Sequence, residues 1–327
     1  MEYTREQLQQ IVGQYPNIGT ISTHARFTSG TDNANFYIES SAGKFVVKIY
    51  DGMNLVPDNI LLELEVMKHS FDSGVKTPNV INTSDGNLYS KLGDKYAMMM
   101  EFVDAQNMKK QSVADYIIYE AGVEVGKMDI ALSVFKNENR TRQGYIFDLK
   151  NFLDNEKSIS LLSSEYSQGI FKKIIEEYKE KKDVLWSLPK GIIHNDITLH
   201  NLLVKDDKLK VIIDFSDIAY NPYIQNLAVA MSQLIFTYNW QPHQAGLFIK
   251  GYSEQRPLSE QEVELLYLVT LARYTTLVVE FNRWIAEGNT DPMVGELAHD
   301  SYKFMQNFMK FGKEAFDKII RENAIIK

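Results

Sequence analysis

The chain has 327 residues, 44% of them hydrophobic, 24% charged and 12% aromatic, and it contains no cysteine. That is the make-up of an ordinary globular protein, and it excludes a disulfide framework and any cysteine-based zinc site. Lys plus Arg is 35 against Asp plus Glu 43, and the resulting net charge of -8 argues against a protein that grips a nucleic-acid backbone by bulk charge, so no nucleic-acid partner is expected. Because single cores stop growing near ~250–300 residues, the length predicts two lobes. The first residues, Met1 to Glu6, are acidic and polar with no apolar run behind them. The longest apolar-rich stretch, Leu227 to Tyr238, is broken by Ser232 and Gln233 and falls short of the ~20 residues that span a bilayer. A cytoplasmic location without a membrane partner is the expectation.

Thr4-Arg5-Glu6-Gln7 reads as a capping box, and Leu8, Ile11, Val12 and Tyr15 follow at helical spacing, so an amphipathic helix opens the chain and Pro16 helps close it. From Asn35 the pattern alternates: Phe36 and Ile38, a turn at 41–44, then Phe45 to Tyr50, a predicted hairpin. On its second strand Phe45, Val47 and Ile49 share one face, and Val46, Lys48 and Tyr50 the other. Leu61, Leu64, Met67 and Phe71 then mark a short helix ended by Asp72-Ser73-Gly74. Strands are expected at 80–81, 87–89 and 96–103.

Beyond Asp104 the texture turns helical, which places the lobe boundary near 101–107. Val113, Ile117, Ala121, Val125, Met128 and Leu132 line one helix face, and Phe171, Ile174, Ile175, Tyr178 and Leu185 another. One β island interrupts the helices: 192–194, then 202–204, a turn at Asp206-Asp207, and 209–215. Helices resume from Gln225, with Trp284, Tyr302, Phe304, Phe308 and Phe311 covering the core.

The β island carries His194-Asn195-Asp196, then Asn201 five residues after the Asp, then Asp214-Phe215-Ser216-Asp217 at the end of the next hairpin. Phosphoryl transfer needs this set: Asp196 to orient a hydroxyl and accept its proton, Asn201 and Asp214 to hold Mg²⁺ against nucleotide phosphates. The Asp-to-Asn step matches the kinase catalytic loop, and Asp214-Phe215 stands where a kinase D-F-G stands. Each residue alone has a local alternative, as turn or capping side chain. Their joint spacing, downstream of a lysine-bearing β segment, favours chemistry. His194 is expected to orient the loop by hydrogen bonding.

Lys48 supplies a cation for the α/β-phosphates, and a carboxylate on the next helix should pair with it. Glu63 is the first choice because Val66 and Met67 follow it on the buried flank, with Glu65 as the alternative. Ser29-Gly30-Thr31 begin a polar segment that could cover phosphates with backbone N–H groups, or serve as an ordinary turn. Glu101 and Val103 end the last strand, where an adenine could meet the backbone. None of the six histidines falls at metal-ligand spacing and no G-x-S-x-G elbow exists, so zinc hydrolysis and serine-hydrolase chemistry drop out.

These residues resemble the aminoglycoside phosphotransferase and choline kinase superfamily, over nearly the whole chain. The segment Gly30 to Phe36 and Gly251-Tyr252 with Arg256-Pro257-Leu258-Ser259 are similar to the type II homoserine kinases; Gly126 to Leu132, Ile213 to Asp217 and Leu271-Ala272-Arg273 are similar to the hydroxylysine kinase branch. The resemblance implies an α+β, bilobal, protein-kinase-like fold: a small β-rich nucleotide-binding lobe with an antiparallel sheet (1–103) and a larger, mainly helical catalytic and substrate-binding lobe (104–327). It implies an ATP- and Mg²⁺-dependent kinase acting on a hydroxyl of a small amino alcohol. Three departures stand out: Asn195 where the family has Gly, Asn226 where an acid precedes Leu-Ala, and Met128-Asp129 where many relatives carry His.

Two rivals are an aminoglycoside or choline phosphotransferase, for which the acidic balance is permissive, and a nucleotide-binding pseudokinase scaffold, which has no need of Asp196. On the acceptor side, Arg273 and Arg283 lie on one expected helix, 265–286, about 80° apart on the 3.6-residue period, and guanidinium forks suit a carboxylate. The alternative is that both serve in surface or interlobe salt bridges. Asp217 is a further acceptor-side candidate. A homodimer is compatible with the sequence.

Overall fold

Thr4 starts the first helix, α1 (Arg5–Val12): its Oγ1 accepts the Gln7 N–H at 3.3 Å while Gln7 Oε1 accepts the Thr4 N–H at 2.9 Å, the reciprocal box expected from the sequence. The computed structural model describes residues 2–27, 33–52, 57–108, 113–135, 145–238 and 240–327, so Ser29, Gly30 and Thr31 lie outside the described residues. The chain forms two compact units, Met1–Ala105 with Lys210–Ser216, and Gln106–Leu209 with Asp217–Lys327.

In the first unit α1 is followed by β1 (Ile21–Arg26), β2 (Ala34–Ser40), β3 (Gly43–Tyr50), α2 (Pro57–Asp72), β4 (Ser90–Leu92) and β5 (Lys95–Glu101). The strands form one antiparallel sheet in the order β1-β2-β3-β5-β4. The expected β2–β3 hairpin forms, with a turn of only two residues, 41–42, rather than 41–44; it is closed by Ser40↔Gly43, with Gly43 at φ 138°, a backbone region that side chains other than glycine avoid. One face of the sheet is sealed by α1: Leu8, Ile11, Val12 and Tyr15 pack with Phe36, Ile38, Phe45, Val47, Ile49 and Met99. The opposite face carries Val46, Lys48, Tyr50 and Met98, all buried. A strand buried on both faces loses its alternation of polarity, and β3 reads that way from Phe45 to Tyr50.

Two strand expectations need correction. Residues 87–89 are not a strand; the edge strand is β4, whose ladder runs from Ser90↔Ala97 to Leu92↔Lys95. The pair 80–81 makes only an isolated bridge, Val80↔Met100. β1 was not expected, because after Ile21 its side chains are exposed or half-buried and give no alternation.

The second unit contains β6 (Gln106–Asn107), α3 (Asp115–Ala131), 3-10 turns over Leu149–Leu161, α4 (Gln168–Ser187), β7 (Lys190–Ile193) and β8 (Leu202–Lys205). β9 (Lys208–Ile212) begins there and carries the chain into the first unit; the chain returns for β10 (Ala219–Pro222), α5 (Tyr223–Ala230), α6 (His243–Gln255), α7 (Glu260–Ala286), α8 (Pro292–Phe311) and α9 (Lys313–Asn323). The expected hairpin forms as β8 with β9, and β6 adds to β8 on its other side, but the first strand of the island is separate: β7 pairs with β10. Asp206 and Asp207 turn between β8 and β9 with φ of 51° and 54°, a left-handed pair that Asp tolerates better than most residues.

α7 is the axis of this unit, buried almost continuously from Glu262 to Asn282, and it begins at its own capping box, Ser259 with Glu262, earlier than the hydrophobic run alone indicates. α3 packs on α6 with near backbone contact: a Cβ at Gly122 would stand 2.1 Å from the Phe248 carbonyl oxygen, and one at Gly251 2.3 Å from that of Tyr119. Only glycine permits that approach.

Candidate active site

In the first unit Lys48 sits on β3, the central strand, in register with Asn35 on β2 and Met98 on β5. Burial on both faces leaves its ammonium one direction to go, and it meets Glu63 of α2, Nζ to Oε1 2.6 Å, with both residues under a tenth exposed. Glu63, not Glu65, is the partner: α2 buries Ile60, Leu62, Glu63, Leu64, Val66 and Met67, and Glu65 is half-buried outside that stripe. Asp214 Oδ1 lies 4.0 Å from the same ammonium, and the Asp214 side chain is 48% exposed, so one cation faces a sequestered carboxylate and an open one. Asp214 has φ 68°, and the Ser216 hydroxyl donates to its Oδ1 at 2.7 Å, which fixes the carboxylate in a turn. The Tyr50 phenol beneath is pushed well above its ordinary range by burial and then by the charges of Glu63 and Asp214, so it stays neutral. Lys48 Nζ stands 5.0 Å from its ring centroid.

At the end of β5 the Glu101 N–H donates to the Asn79 carbonyl at 3.0 Å and the Phe102 N–H to that of Lys44 at 3.1 Å. The Val103 carbonyl accepts from Ala105 at 2.9 Å, whereas the Val103 N–H has no acceptor among the described residues.

In the second unit β7 delivers the chain to His194 and Asn195, both fully buried. Asn195 has φ 64° and ends the strand by a left-handed step, so Asp196 turns out of the core and is half-buried. The Asp196 N–H donates to His194 Nδ1 at 3.2 Å. Asn201 Nδ2 donates to both Asp196 O (2.9 Å) and Asp196 Oδ2 (2.7 Å). That double contact locks the carboxylate plane and leaves the Asn201 carbonyl oxygen as the end of the amide that can face a cation. Ile197 and Leu199, buried within the loop, hold its backbone against the unit's core.

A second group lies in the same unit. The Tyr145 hydroxyl donates to Asp217 Oδ2 at 2.6 Å, and its pKa is driven well above normal by burial, then by Asp217, and further by the charge of Asp196. The sequence reading missed Tyr145, an aromatic without periodic context. The two arginines of α7 are used differently. Arg273 is 2% exposed, its guanidinium bonded to the Phe147 carbonyl and 5.8 Å from the Phe147 ring centroid, while its Nε has no partner. Arg283 is taken up on its own helix by Glu280 (2.6 Å) and Glu287 (3.3 Å), an arrangement of the salt-bridge kind.

No group of three or more His, Asp or Glu suited to a metal occurs among the described residues. Within the second unit the Asn201 carbonyl, and within the first the half-exposed Asp214 carboxylate, are hard oxygen donors, the ligand type that suits an ion taking most of its ligands from phosphates and water. Among the described residues no helix is long and apolar enough to cross a membrane.

A lysine–carboxylate pair on a β unit, with a His-x-Asp loop and its Asn on a helical unit, defines the class of kinase-like phosphotransferases. The model of the phosphotransferase enzyme family (APH) matches residues 23–263, and the chain belongs to that family. It is a phosphotransferase with an alcohol group as acceptor, of the small-molecule kind. Homoserine kinase of Brucella abortus is 24% identical over 277 residues, covering 82% of each chain. Among solved structures, the amicoumacin kinase hAmiN with AMP-PNP and Ca²⁺ shares the fold at TM-score 0.70 and 13% identity, over 93% of this chain and 94% of that one. A microcompartment-associated aminopropanol kinase does so at TM-score 0.69 and 16% identity, over 97% and 99%. The α+β kinase-like fold, with its antiparallel N-terminal sheet and helical C-terminal part, is the one expected.

Proposed function

We propose that the protein is an ATP-dependent, Mg²⁺-requiring kinase that phosphorylates the hydroxyl of a small zwitterionic amino alcohol, of the homoserine or hydroxylysine kind. In this reading residues 1–103 bind the nucleotide, with Lys48, braced by Glu63, on its phosphates, Ser29-Gly30-Thr31 over them, and the backbone of Glu101 and Val103 at the base. Residues 104–327 carry the base and the acceptor. Asn201 and Asp214 are the residues that would hold Mg²⁺, which when bound neutralises charge on the phosphates. Asp196 orients the acceptor hydroxyl and takes its proton as the hydroxyl oxygen bonds to the γ-phosphorus; the bond from that phosphorus to the β–γ bridging oxygen breaks, and ADP leaves. His194 and Asn201 keep Asp196 in position throughout.

The observation that carries the acceptor class is Arg273: a guanidinium 2% exposed, with an unpartnered Nε, held in the same unit as Asp196. Buried charge demands an anion, and a carboxylate matches the fork. Asp217, with its Tyr145 partner, suits the ammonium of the same substrate, and Arg283, engaged by Glu280 and Glu287, is assigned to salt bridging. The homology to a homoserine kinase over 82% of the chain agrees with this reading. ADP release is measured with homoserine and hydroxylysine against aminopropanol, choline, ethanolamine and kanamycin. Turnover confined to the last four rejects the carboxylate and leaves the phosphotransfer standing; no ADP release with any acceptor rejects the substrate class.

A further inference from the structure

A line of buried polar groups runs from the helices of the second unit to the residue before Asp196, and no step of the proposed reaction uses it. The Asn195 N–H donates to Asn226 Oδ1 at 3.2 Å, and Asn226 Nδ2 donates to Asp129 Oδ1 at 2.9 Å. The other carboxylate oxygen, Asp129 Oδ2, accepts from the Tyr252 hydroxyl at 2.7 Å. Tyr252 in turn accepts from Arg256 at 3.3 Å, and Arg256 bonds Glu262 at 2.8 Å. Asn195, Asn226 and Asp129 are each 0% exposed, and they come from the β7 end, α5 and α3.

The chemistry of the line is directional. An asparagine amide offers an acceptor at one end and donors at the other, and nothing in its own shape says which way round it sits. Here the Asn195 N–H on one side can only donate and the ionised Asp129 carboxylate on the other can only accept, so the oxygen faces Asn195 and the NH₂ faces Asp129. The geometry points to Asp129 and Asn226 as positioning residues for the base: Asp129 fixes the orientation of the Asn226 amide, whose oxygen clamps the left-handed turn that sets Asp196 out of the core. Asn195 serves this turn by its backbone, since both polar atoms of its buried side chain have no partner. The groups facing Asp129 from neighbouring elements are Tyr252 of α6, Arg256 just past its end and Glu262 of α7, with Tyr223 of α5 beneath the Arg256 guanidinium at 4.4 Å. Two donors and one nearby cation suit an acceptor carboxylate at that point.

The inference rests on Asp196 as base, so the experiment carries a readout that needs no turnover. Asn226→Asp, Asp129→Asn and the swapped double variant Asp129→Asn/Asn226→Asp are compared by hydrogen exchange of the Asn195 amide and by kcat and the ATP KM. Asn226→Asp sets two carboxylates against each other in the buried line, whereas Asp129→Asn keeps an acceptor oxygen but removes the acceptor-only group that fixes which way round the Asn226 amide sits. Exchange at Asn195 then rises by roughly tenfold or more and kcat falls roughly 10- to 100-fold with the ATP KM unmoved. In the double variant the amide placed at 129 donates to the carboxylate placed at 226, whose second oxygen accepts from Asn195, and both quantities return to within about threefold of wild type. Wild-type exchange and kcat in Asn226→Asp, or a double variant no better than the singles, overturns the inference. The exchange pattern decides it even for a chain that turns over no acceptor, in which case the proposed reaction fails and the clamp does not.

Discussion

Removing either partner of the Lys48–Glu63 pair should destabilise the first unit far more than removing both. The charges are 2.6 Å apart, with side chains 8% and 7% exposed, so each has given up water for the other. Lys48→Met leaves the Glu63 carboxylate buried without its cation, which costs about 3–5 kcal/mol, a large part of the ~5–15 kcal/mol by which domains are stable. Glu63→Leu is expected to cost less than Lys48→Met, because Asp214 remains 4.0 Å from the stranded ammonium. Lys48→Met/Glu63→Leu removes both charges at similar volume and should fall within ~1–2 kcal/mol of wild type. Urea unfolding followed by circular dichroism gives the three values, and the interaction energy from the cycle should reach about 2 kcal/mol or more. Calorimetric titration with ATP and Mg²⁺ should find the double variant stable and still unable to bind nucleotide. Additive losses, with the double variant as unstable as the sum of the singles, would refute the argument that burial makes the pair interdependent.

Asp196→Asn keeps the shape and the Asn201 contact but removes the proton acceptor, so kcat should drop roughly 10²–10⁴-fold with ATP affinity unchanged; wild-type turnover would show that another group is the base. Asn195→Gly relieves a left-handed side-chain residue and deletes a buried amide with no partners, so thermal unfolding should show equal or higher stability, whereas Asn195→Ala, strained at φ 64°, should lower it by about 1 kcal/mol. Burial raises the Asp129 carboxyl to about 7, against the hydrogen bond from Tyr252 and the charge of Arg256. The folded state therefore holds a proton that the unfolded chain has released above about pH 4, and stability should fall as pH rises from there to about 7 and level off beyond. Urea midpoints at pH 5, 6, 7 and 8 for wild type and Asp129→Asn check this: the wild-type value minus the variant's must decline with pH, and a rise would reverse the sign of the argument.

The sequence was most legible where one residue type could do the job at one spacing. The Thr4 box, the β2–β3 hairpin and the buried stripes of α3 and α4 follow from periodicity, and Glu63 was separable from Glu65 because only one flanks the apolar stripe of α2. The five-residue step from Asp196 to Asn201 marked the loop, but the hydrogen bond between the two side chains was not read from it. Strand pairing was less legible: β7 and β8 are neighbours in sequence, yet each takes a partner from elsewhere, β10 and β6, because pairing depends on where the intervening chain goes. The use of Arg273 and Arg283 was not legible either, since the same residue type on the same helix meets a carbonyl and an aromatic ring at one position and two glutamates at the other. Asn195, Asn226 and Asp129 stood out singly in the sequence; that they touch is information only the folded chain contains.

The passage of β9 through Lys210–Ser216 into the first unit has a consequence for synthesis on the ribosome. The sheet and both of its helices are complete by Ala105, but the segment bearing Asp214 is made only after β7 and β8 of the second unit. At translation rates of ~5–20 residues per second, the first unit waits roughly 6–20 s for its last piece. During that interval the Lys48–Glu63 pair lacks the neighbouring carboxylate of Asp214. A nascent chain arrested before residue 210 should therefore hold a folded but unfinished N-terminal unit, and a gene fragment cut at the apparent end of that unit would encode the same species.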